Sequence, residues 1–111
     1  MTAFLVALAG ALGASSRYLV ERRLRTTAWP RGTFVVNVSG CLALGLLLGL
    51  ALPEPVATTL GVGFVGAYTT FSAYAVEIVA APRRVGLAYA AGSVVAGVLA
   101  AGLGLWLGGH L

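Results

Sequence analysis

The sequence predicts an all-α integral membrane protein with four transmembrane helices. Hydrophobic residues make up 59% of the 111 residues and charged residues only 9%, whereas a soluble domain carries about 25% charged residues. A helix needs about 20 apolar residues to cross a bilayer core of about 30 Å, so this length allows four crossings and almost no extramembrane domain. The composition excludes a soluble enzyme, a disordered tail and, despite an isoelectric point near 10.0, a nucleic-acid-binding domain. A disulfide scaffold is excluded because Cys41 is the single cysteine.

Charged residues and prolines divide the chain into four apolar segments. The first segment lacks a basic start and three similar segments follow it, so we interpret it as a membrane helix rather than a cleavable signal peptide. A polar, arginine-rich connection at residues 21–31 follows it, Pro53–Pro55 ends the second segment, and Ala81–Arg84 separates the third from the fourth. The four predicted helices form a single domain over residues 1–111 and occupy residues 3–20, 33–52, 56–80 and 85–107.

Rows of small residues on these helices predict close helix packing. Small side chains at a spacing of four let backbones approach in lipid, where the hydrophobic effect does not drive helices together. Because four short, smooth helices enclose little volume, we also expect a dimer. The rows are Ala3, Ala7, Ala11 and Ser15 on the first helix, Gly45 and Gly49 on the second, and Gly104 and Gly108 on the fourth.

The arginines predict the orientation in the membrane. An even number of crossings places all seven on one side and none on the other. Positively charged loops remain in the cytoplasm, so both termini are expected outside. The arginines are Arg17, Arg22, Arg23, Arg25, Arg31, Arg83 and Arg84.

The centre of the third helix is predicted to be broken. Gly61, Gly63 and Gly66 precede Thr69, Thr70 and Ser72, which is poor material for a continuous helix. A break frees backbone carbonyls, and such carbonyls bind cations in channel filters. The alternative is a continuous glycine packing face in which Thr and Ser bond back to carbonyls.

Polar and aromatic residues within the spans are candidates for function, because the membrane core disfavours polar groups. Asn37 offers amide donors, or it forms a hydrogen bond that holds two helices together. Phe71 and Tyr74 share a helix face and either pack in the core or against lipid, or present positive ring edges to an anion. The sequence has no catalytic set of residues, so we do not expect an enzyme.

Two charged residues lie near the arginine-rich end of the spans. Glu77 either extends to the interface or pairs with Arg17, Arg83 or Arg84. Arg17 either reaches the lipid head groups or lines a vestibule whose positive charge concentrates anions.

Three motifs in order resemble the CrcB/Fluc family of fluoride channels. Residues 10–18 resemble the glycine-rich pattern of the family's first helix, which ends in Arg and an aromatic residue. Residues 30–40 resemble Pro-x-Gly-Thr-x-x-x-Asn-x-x-Gly, and residues 63–77 resemble Gly-x-x-Gly-Gly-x-Thr-Thr-Phe-Ser-Thr-Phe-Ser-x-Glu. The fourth helix is similar in character only.

The resemblance implies a passive, fluoride-selective channel that lowers cytoplasmic fluoride from the inner (plasma) membrane. It implies an antiparallel dimer with two pores, and a structural Na⁺ that is not transported and lies at the dimer centre. The backbone carbonyls of Gly66 and Thr69 would hold this ion. The implied pore residues are Asn37 as donor, Phe71 and Tyr74 at the two phenylalanine positions, Thr70 and Ser72 beside a polar track, and Glu77 near a pore mouth.

The chain departs from the family pattern, most clearly in having Tyr74 where the second phenylalanine is usual. An antiparallel homodimer requires one sequence to insert in both orientations, and a charge bias of seven arginines against none opposes this. We therefore expect a second, related subunit of opposite bias, with a homodimer as the alternative.

Two other functions remain open. One is a small four-helix multidrug exporter, which is disfavoured because the first helix has no embedded carboxylate. The other is a non-transporting assembly subunit.

Overall fold

The computed structural model describes residues 1–25 and 29–111, and all regular secondary structure in these residues is helical. Within them, four helical spans are long and apolar enough to cross a membrane. The first is α1 (Thr2–Arg23), the second α2 (Arg31–Leu50), and the fourth, which we label α6, is Arg83–Gly109. The third span, Val56–Ala80, is divided into shorter pieces. The protein is therefore a multi-pass membrane protein.

The ends of the spans differ by a few residues from those expected from composition. Helix α1 continues to Arg23, and α2 begins at Arg31 and ends at Leu50. Basic residues in the last turn of a helix interact favourably with its dipole, which accounts for the extension of α1 through Arg22 and Arg23. Residues 26–28 of the predicted polar connection lie outside the described residues.

Helices α2 and α6 pack backbone against backbone. A Cβ added to Gly45 would overlap the Ala101 carbonyl oxygen, and one added to Gly104 would overlap that of Leu42. Gly49 and Gly108 make the same kind of contact one turn further along. The glycine rows predicted on these two helices therefore form one interface.

Helix α1 packs against the third span through a different row from the predicted one. Ala9 and Gly13 are buried, and a Cβ at Gly13 would overlap the backbone of Phe64. Ala3, Ala7, Ala11 and Ser15 are exposed on the subunit surface. This row therefore does not pack within the subunit, because the spacing of small residues does not specify which face turns inward; that it packs helices in a dimer stays a prediction.

The third span contains the predicted break. A short helix α3 (Val56–Thr58) leads into a π-helical segment (Thr59–Val65) and helix α4 (Gly66–Tyr68). Thr69 is then extended, with φ −82° and ψ 162°, and helix α5 begins again at Ser72 and ends at Ala80. The interruption is at Thr69–Phe71, immediately after the glycines.

The subunit has a small interior. Among the described residues, Val36 and Tyr89 are the largest fully buried side chains, and most leucines and valines of the spans are exposed. A subunit of this kind presents its apolar side chains to lipid or to another protein.

Candidate functional site at the helix break

A pair of hydrogen bonds between Asn37 and Thr70 holds the break in place. The Asn37 Nδ2 donates to the Thr70 carbonyl oxygen at 2.8 Å, and the Thr70 N–H donates to Asn37 Oδ1 at 2.9 Å. The side-chain amide thus replaces the partners that a continuous helix would give Thr70. This is the interhelical bond considered from the sequence, and it uses one of the two N–H groups of the amide.

Asn37 lies at the wall of a cavity of about 320 Å³ that we call the central pocket. Thr70, Phe71 and Tyr74 also line it, so the break brings together four of the predicted pore residues. None of the lining side chains that the structure describes is charged. Polar groups and ring edges therefore set the chemistry of this pocket.

Ser93 in α6 is a lining residue that the sequence analysis missed. Its hydroxyl is buried and has no hydrogen-bond partner among the described residues, and it belongs to the wall of the central pocket. In sequence it is one serine in a helix of apolar residues, and its place in the same pocket wall as Asn37 depends on how α6 packs. The sequence feature that could have identified Ser93 as a candidate is its hydroxyl in the middle of an otherwise apolar part of that span.

Thr70 and Ser72 lie at the start of α5. The Thr70 Oγ1 accepts a hydrogen bond from the Ala73 N–H at 3.3 Å, and the two hydroxyl oxygens are 3.4 Å apart. Thr70 is buried and Ser72 is exposed on the subunit surface. These hydroxyls therefore continue the polar groups of the central pocket onto the surface of the subunit.

The two aromatic candidates have different environments. Phe71 is 77% exposed, whereas Tyr74 is half-buried and its hydroxyl donates to the Ala90 carbonyl oxygen at 2.8 Å. The Tyr74 ring meets Phe71 at a centroid distance of 6.0 Å and Tyr89 at 5.3 Å. The sequence predicted their shared face but not the tyrosine hydroxyl's partner, which lies on another helix.

Glu77 is held by two hydroxyl groups rather than by an arginine. Thr33 Oγ1 donates to Glu77 Oε2 at 3.2 Å, and the Tyr89 hydroxyl donates to Oε1 at 3.1 Å. No basic side chain is recorded in an ion pair with it in the part of the chain that the structure describes. The expected pairing with Arg17, Arg83 or Arg84 is therefore not found, since Glu77 turns toward α2 and α6.

A second cavity lies where the arginine-bearing ends of the helices meet, and we call it the basic-end pocket. It has a volume of about 220 Å³, and its wall includes Glu21, Trp29, Thr33 and Glu77 together with Arg25 and Arg31. One carboxylate oxygen of Glu21 is buried without a hydrogen-bond partner among the described residues. The exposed Arg22, Arg23, Arg83 and Arg84 lie near this end.

The break also frees backbone oxygens. The Thr70 N–H, which would bond to the Gly66 carbonyl in a continuous helix, donates to Asn37 instead. Gly66 is exposed on the subunit surface. The Thr69 carbonyl oxygen accepts a weak hydrogen bond of 3.4 Å from Arg17 Nη1, so Arg17 turns inward to the break. Two carbonyl oxygens of this kind are suitable ligands for a hard cation.

Comparisons with known proteins show which family the chain belongs to. The sequence profile described as "CrcB-like protein, Camphor Resistance (CrcB)" matches residues 4–105. The chain belongs to the CrcB family. This membership confirms the resemblance drawn from the three motifs, and because the family is one of ion channels, the chain is not an enzyme.

Individual CrcB relatives are similar over nearly their whole length. "Fluoride-specific ion channel FluC 2" of Rhodococcus jostii is 48% identical over 112 residues, which cover 96% of this chain and 98% of the relative. The protein of that name from Cutibacterium acnes is 43% identical and covers 100% of both chains. "Fluoride-specific ion channel FluC 1" of Ligilactobacillus salivarius is 40% identical and covers 93% of this chain and 96% of the relative.

Proposed function

We propose that this chain is a subunit of a passive, fluoride-selective channel that lowers cytoplasmic fluoride in the plasma (inner) membrane of the cell. The observation that carries the proposal is the amide of Asn37, which is fixed by Thr70 at the wall of an uncharged pocket between Phe71 and Ser93. The names of the CrcB relatives support the choice of fluoride as the ion.

The central pocket offers the groups that fluoride needs. Fluoride is small and strongly hydrated, so a pore must replace its water with N–H and O–H donors and positive ring edges. Asn37 has a second N–H that its bond to Thr70 does not use, Ser93 has an unpartnered hydroxyl, and Phe71 presents an exposed ring. Because no lining group carries a full positive charge, the ion is held weakly enough to leave.

The basic end of the subunit provides an electrostatic approach to the pore. We place this end in the cytoplasm, because arginines accumulate in cytoplasmic loops. The seven arginines at this end outnumber its two carboxylates, Glu21 and Glu77, and so raise the local concentration of anions, while Arg17 extends positive charge toward the break. Glu77, near this pore mouth, accepts hydrogen bonds from the Thr33 and Tyr89 hydroxyls.

A Na⁺ ion fits the break. The Gly66 and Thr69 carbonyl oxygens would hold it, because the first has lost its helical donor and the second lies in extended backbone. When bound, the ion would supply fixed positive charge at the break. Within this chain, Asn37 keeps the Gly66 carbonyl free by taking the Thr70 N–H, while Arg17 contacts the Thr69 carbonyl oxygen at 3.4 Å.

The functional unit in this proposal is an antiparallel dimer with a second, related subunit. The exposed Phe71 and Gly66 mark a surface that one subunit leaves uncovered. All seven arginines favour one orientation of this chain, so a partner with the opposite bias supplies the inverted subunit. The relatives' names end in 1 or 2, the numbering expected where one organism has two such proteins.

Fluoride efflux from liposomes tests the proposal. The full chain, reconstituted with KF inside and followed with a fluoride electrode, is expected to release fluoride when a potassium ionophore is added. Chloride-loaded liposomes should release almost none. If the chain releases no fluoride, either alone or with any co-isolated partner, the result would favour a non-transporting subunit. Proton-coupled export of an organic cation would instead show a small multidrug exporter.

A further inference from the structure

An aromatic partition separates the two pockets of the subunit. Phe71 and Tyr74 line the central pocket, and Trp29 lines the basic-end pocket. Tyr89, which is 1% exposed, lies between them: its ring meets Tyr74 at 5.3 Å and Trp29 at 5.4 Å, both edge to face. Tyr74 and Tyr89 thus stand between the central pocket and the basic-end pocket within the subunit.

Hydrogen bonds tie both rings of this pair to their surroundings. The Tyr89 hydroxyl donates to Glu77, a residue of the basic-end pocket. The Tyr74 hydroxyl donates to the Ala90 carbonyl oxygen of α6, which fixes the ring of α5 against the neighbouring span. Phe71, by comparison, has no hydroxyl and is mostly exposed.

We propose that Tyr74 is a positioning residue whose hydroxyl latches the partition to α6 and slows the passage of fluoride between the two pockets. The hydroxyl proton is already donated to Ala90, so Tyr74 does not offer it to the ion. The residue acts through the position of its ring and through Tyr89. This inference rests on the proposed function, since it assigns Tyr74 a role in the rate of that channel.

Removal of the latch should raise the rate without changing how fluoride binds. A neutral hydrogen bond contributes modestly to stability, and here it stabilises the closed arrangement of the two tyrosine rings. Its loss lowers the barrier to passage and is expected to increase maximal fluoride flux by about two- to tenfold. The groups that bind the ion in the central pocket, Asn37 and Ser93, remain as they were. The fluoride concentration that gives half-maximal flux should therefore stay the same.

The experiment compares wild type, Tyr74→Phe and Tyr68→Phe in liposomes over a range of fluoride concentrations. Tyr68→Phe is the matched control, because Tyr68 also joins two spans through its hydroxyl, 2.9 Å from Ser39, but stacks on Phe64 away from either pocket. Only Tyr74→Phe should increase the maximal flux. If that variant fails to fold, Tyr74→Met removes the hydroxyl and is expected to act in the same direction.

The outcomes separate this inference from the proposed function. If wild type conducts and Tyr74→Phe is equal or slower, the latch is refuted and the channel function stands. A change in the half-maximal fluoride concentration would also refute it, because the hydroxyl would then bind the ion. A silent wild type with a conducting Tyr74→Phe variant would support a latch that closes the path. If neither conducts, alone or with any co-isolated partner, both the function and the latch are rejected.

Discussion

At the scale of single residues, Asn37 shows how one side chain has two uses. Its amide pairs with both backbone groups of Thr70, which satisfies the polar groups that the break exposes. Buried backbone groups are costly when they lack partners, and more so in a membrane. The same amide retains one N–H at the wall of the central pocket. The structural and functional interpretations of Asn37 are therefore compatible.

Asn37→Asp is expected to reduce fluoride efflux by on the order of a hundredfold, the usual effect of losing one well-placed donor. The carboxylate has no N–H for the Thr70 carbonyl or for fluoride, and it adds a negative charge to an anion pathway. Liposome efflux with the fluoride electrode measures the change. The dimer should still elute as a single peak in size-exclusion chromatography.

Ser39→Ala is the control for this substitution. Ser39 lies on the same helix and loses its contact with Tyr68, but it is outside the central pocket. We expect nearly normal efflux from this variant. Normal efflux from folded Asn37→Asp protein would contradict the donor role of Asn37.

At the scale of helices, α2 and α6 show how glycine spacing becomes an interface. Gly45 and Gly49 face Gly104 and Gly108, and each lies against backbone of the opposite helix. In lipid this close contact supplies the packing energy that the hydrophobic effect supplies in water. The row of small residues on α1 is as regular in sequence, yet it is exposed on the subunit. Spacing identified a smooth helix face, but only packing decided what covered it.

Gly104→Ala should destabilise the subunit by about 1–3 kcal/mol, the usual cost of overpacking a tight interface. Its new methyl group would overlap backbone of α2 at Leu42. Gly102→Ala, two residues away on the same helix, is the matched control, because a Cβ there meets nothing within 4 Å. Thermal unfolding in detergent, followed by size-exclusion chromatography, compares the two. Equal melting temperatures for both variants would show that the α2–α6 contact is looser than the structure describes.

At the scale of the whole molecule, the third span connects the packing of the subunit with its assembly. Its glycine-rich half packs against α1, and its second half carries the aromatic residues of the central pocket. Between them, the Gly66 carbonyl has lost its helical donor and the Thr69 carbonyl accepts a hydrogen bond of 3.4 Å from Arg17. In the proposed channel, assembly, cation binding and the pore would therefore all depend on one short interruption of a helix.

Replacing Na⁺ by a large organic cation is expected to lower the melting temperature of the dimer, because a ligand that binds only the native state stabilises it. Thr69→Val should keep this Na⁺ dependence, since the carbonyl oxygen is unchanged. Gly66→Pro should lose it, because proline disturbs the backbone that presents the carbonyls. Melting curves that are the same in both salts for the wild type would remove the cation from the proposal.

The distribution of charge makes a prediction about assembly. With seven arginines at one end, the chain should insert with its C-terminus outside in nearly all copies. Topology tags on the C-terminus, at native expression and without any companion subunit, measure this directly. Forced expression is the comparison, because it can populate the minor orientation. Equal inside and outside populations together with normal fluoride resistance would show a self-sufficient homodimer.

Most of the architecture follows from local features of the sequence. Four apolar segments separated by arginines and prolines predicted four spans, because the cost of placing polar residues in lipid depends on each segment alone. The glycines before Thr69 predicted the break for the same reason: backbone preference is a local property. The ordered motifs were sufficient to identify the family.

Tertiary structure decided which groups meet. Asn37 and Thr70 are 33 positions apart, Thr33 and Glu77 44 apart, and Arg17 and Thr69 52 apart. No local pattern specifies such pairs, because a helix face has several neighbours of similar polarity and the rotation of each span depends on backbone packing at its glycines. The sequence by itself thus determined the spans, the break and the candidate residues. Only packing joined Glu77 to hydroxyl groups instead of arginines, placed Ser93 in the pocket and tied Tyr74 to α6.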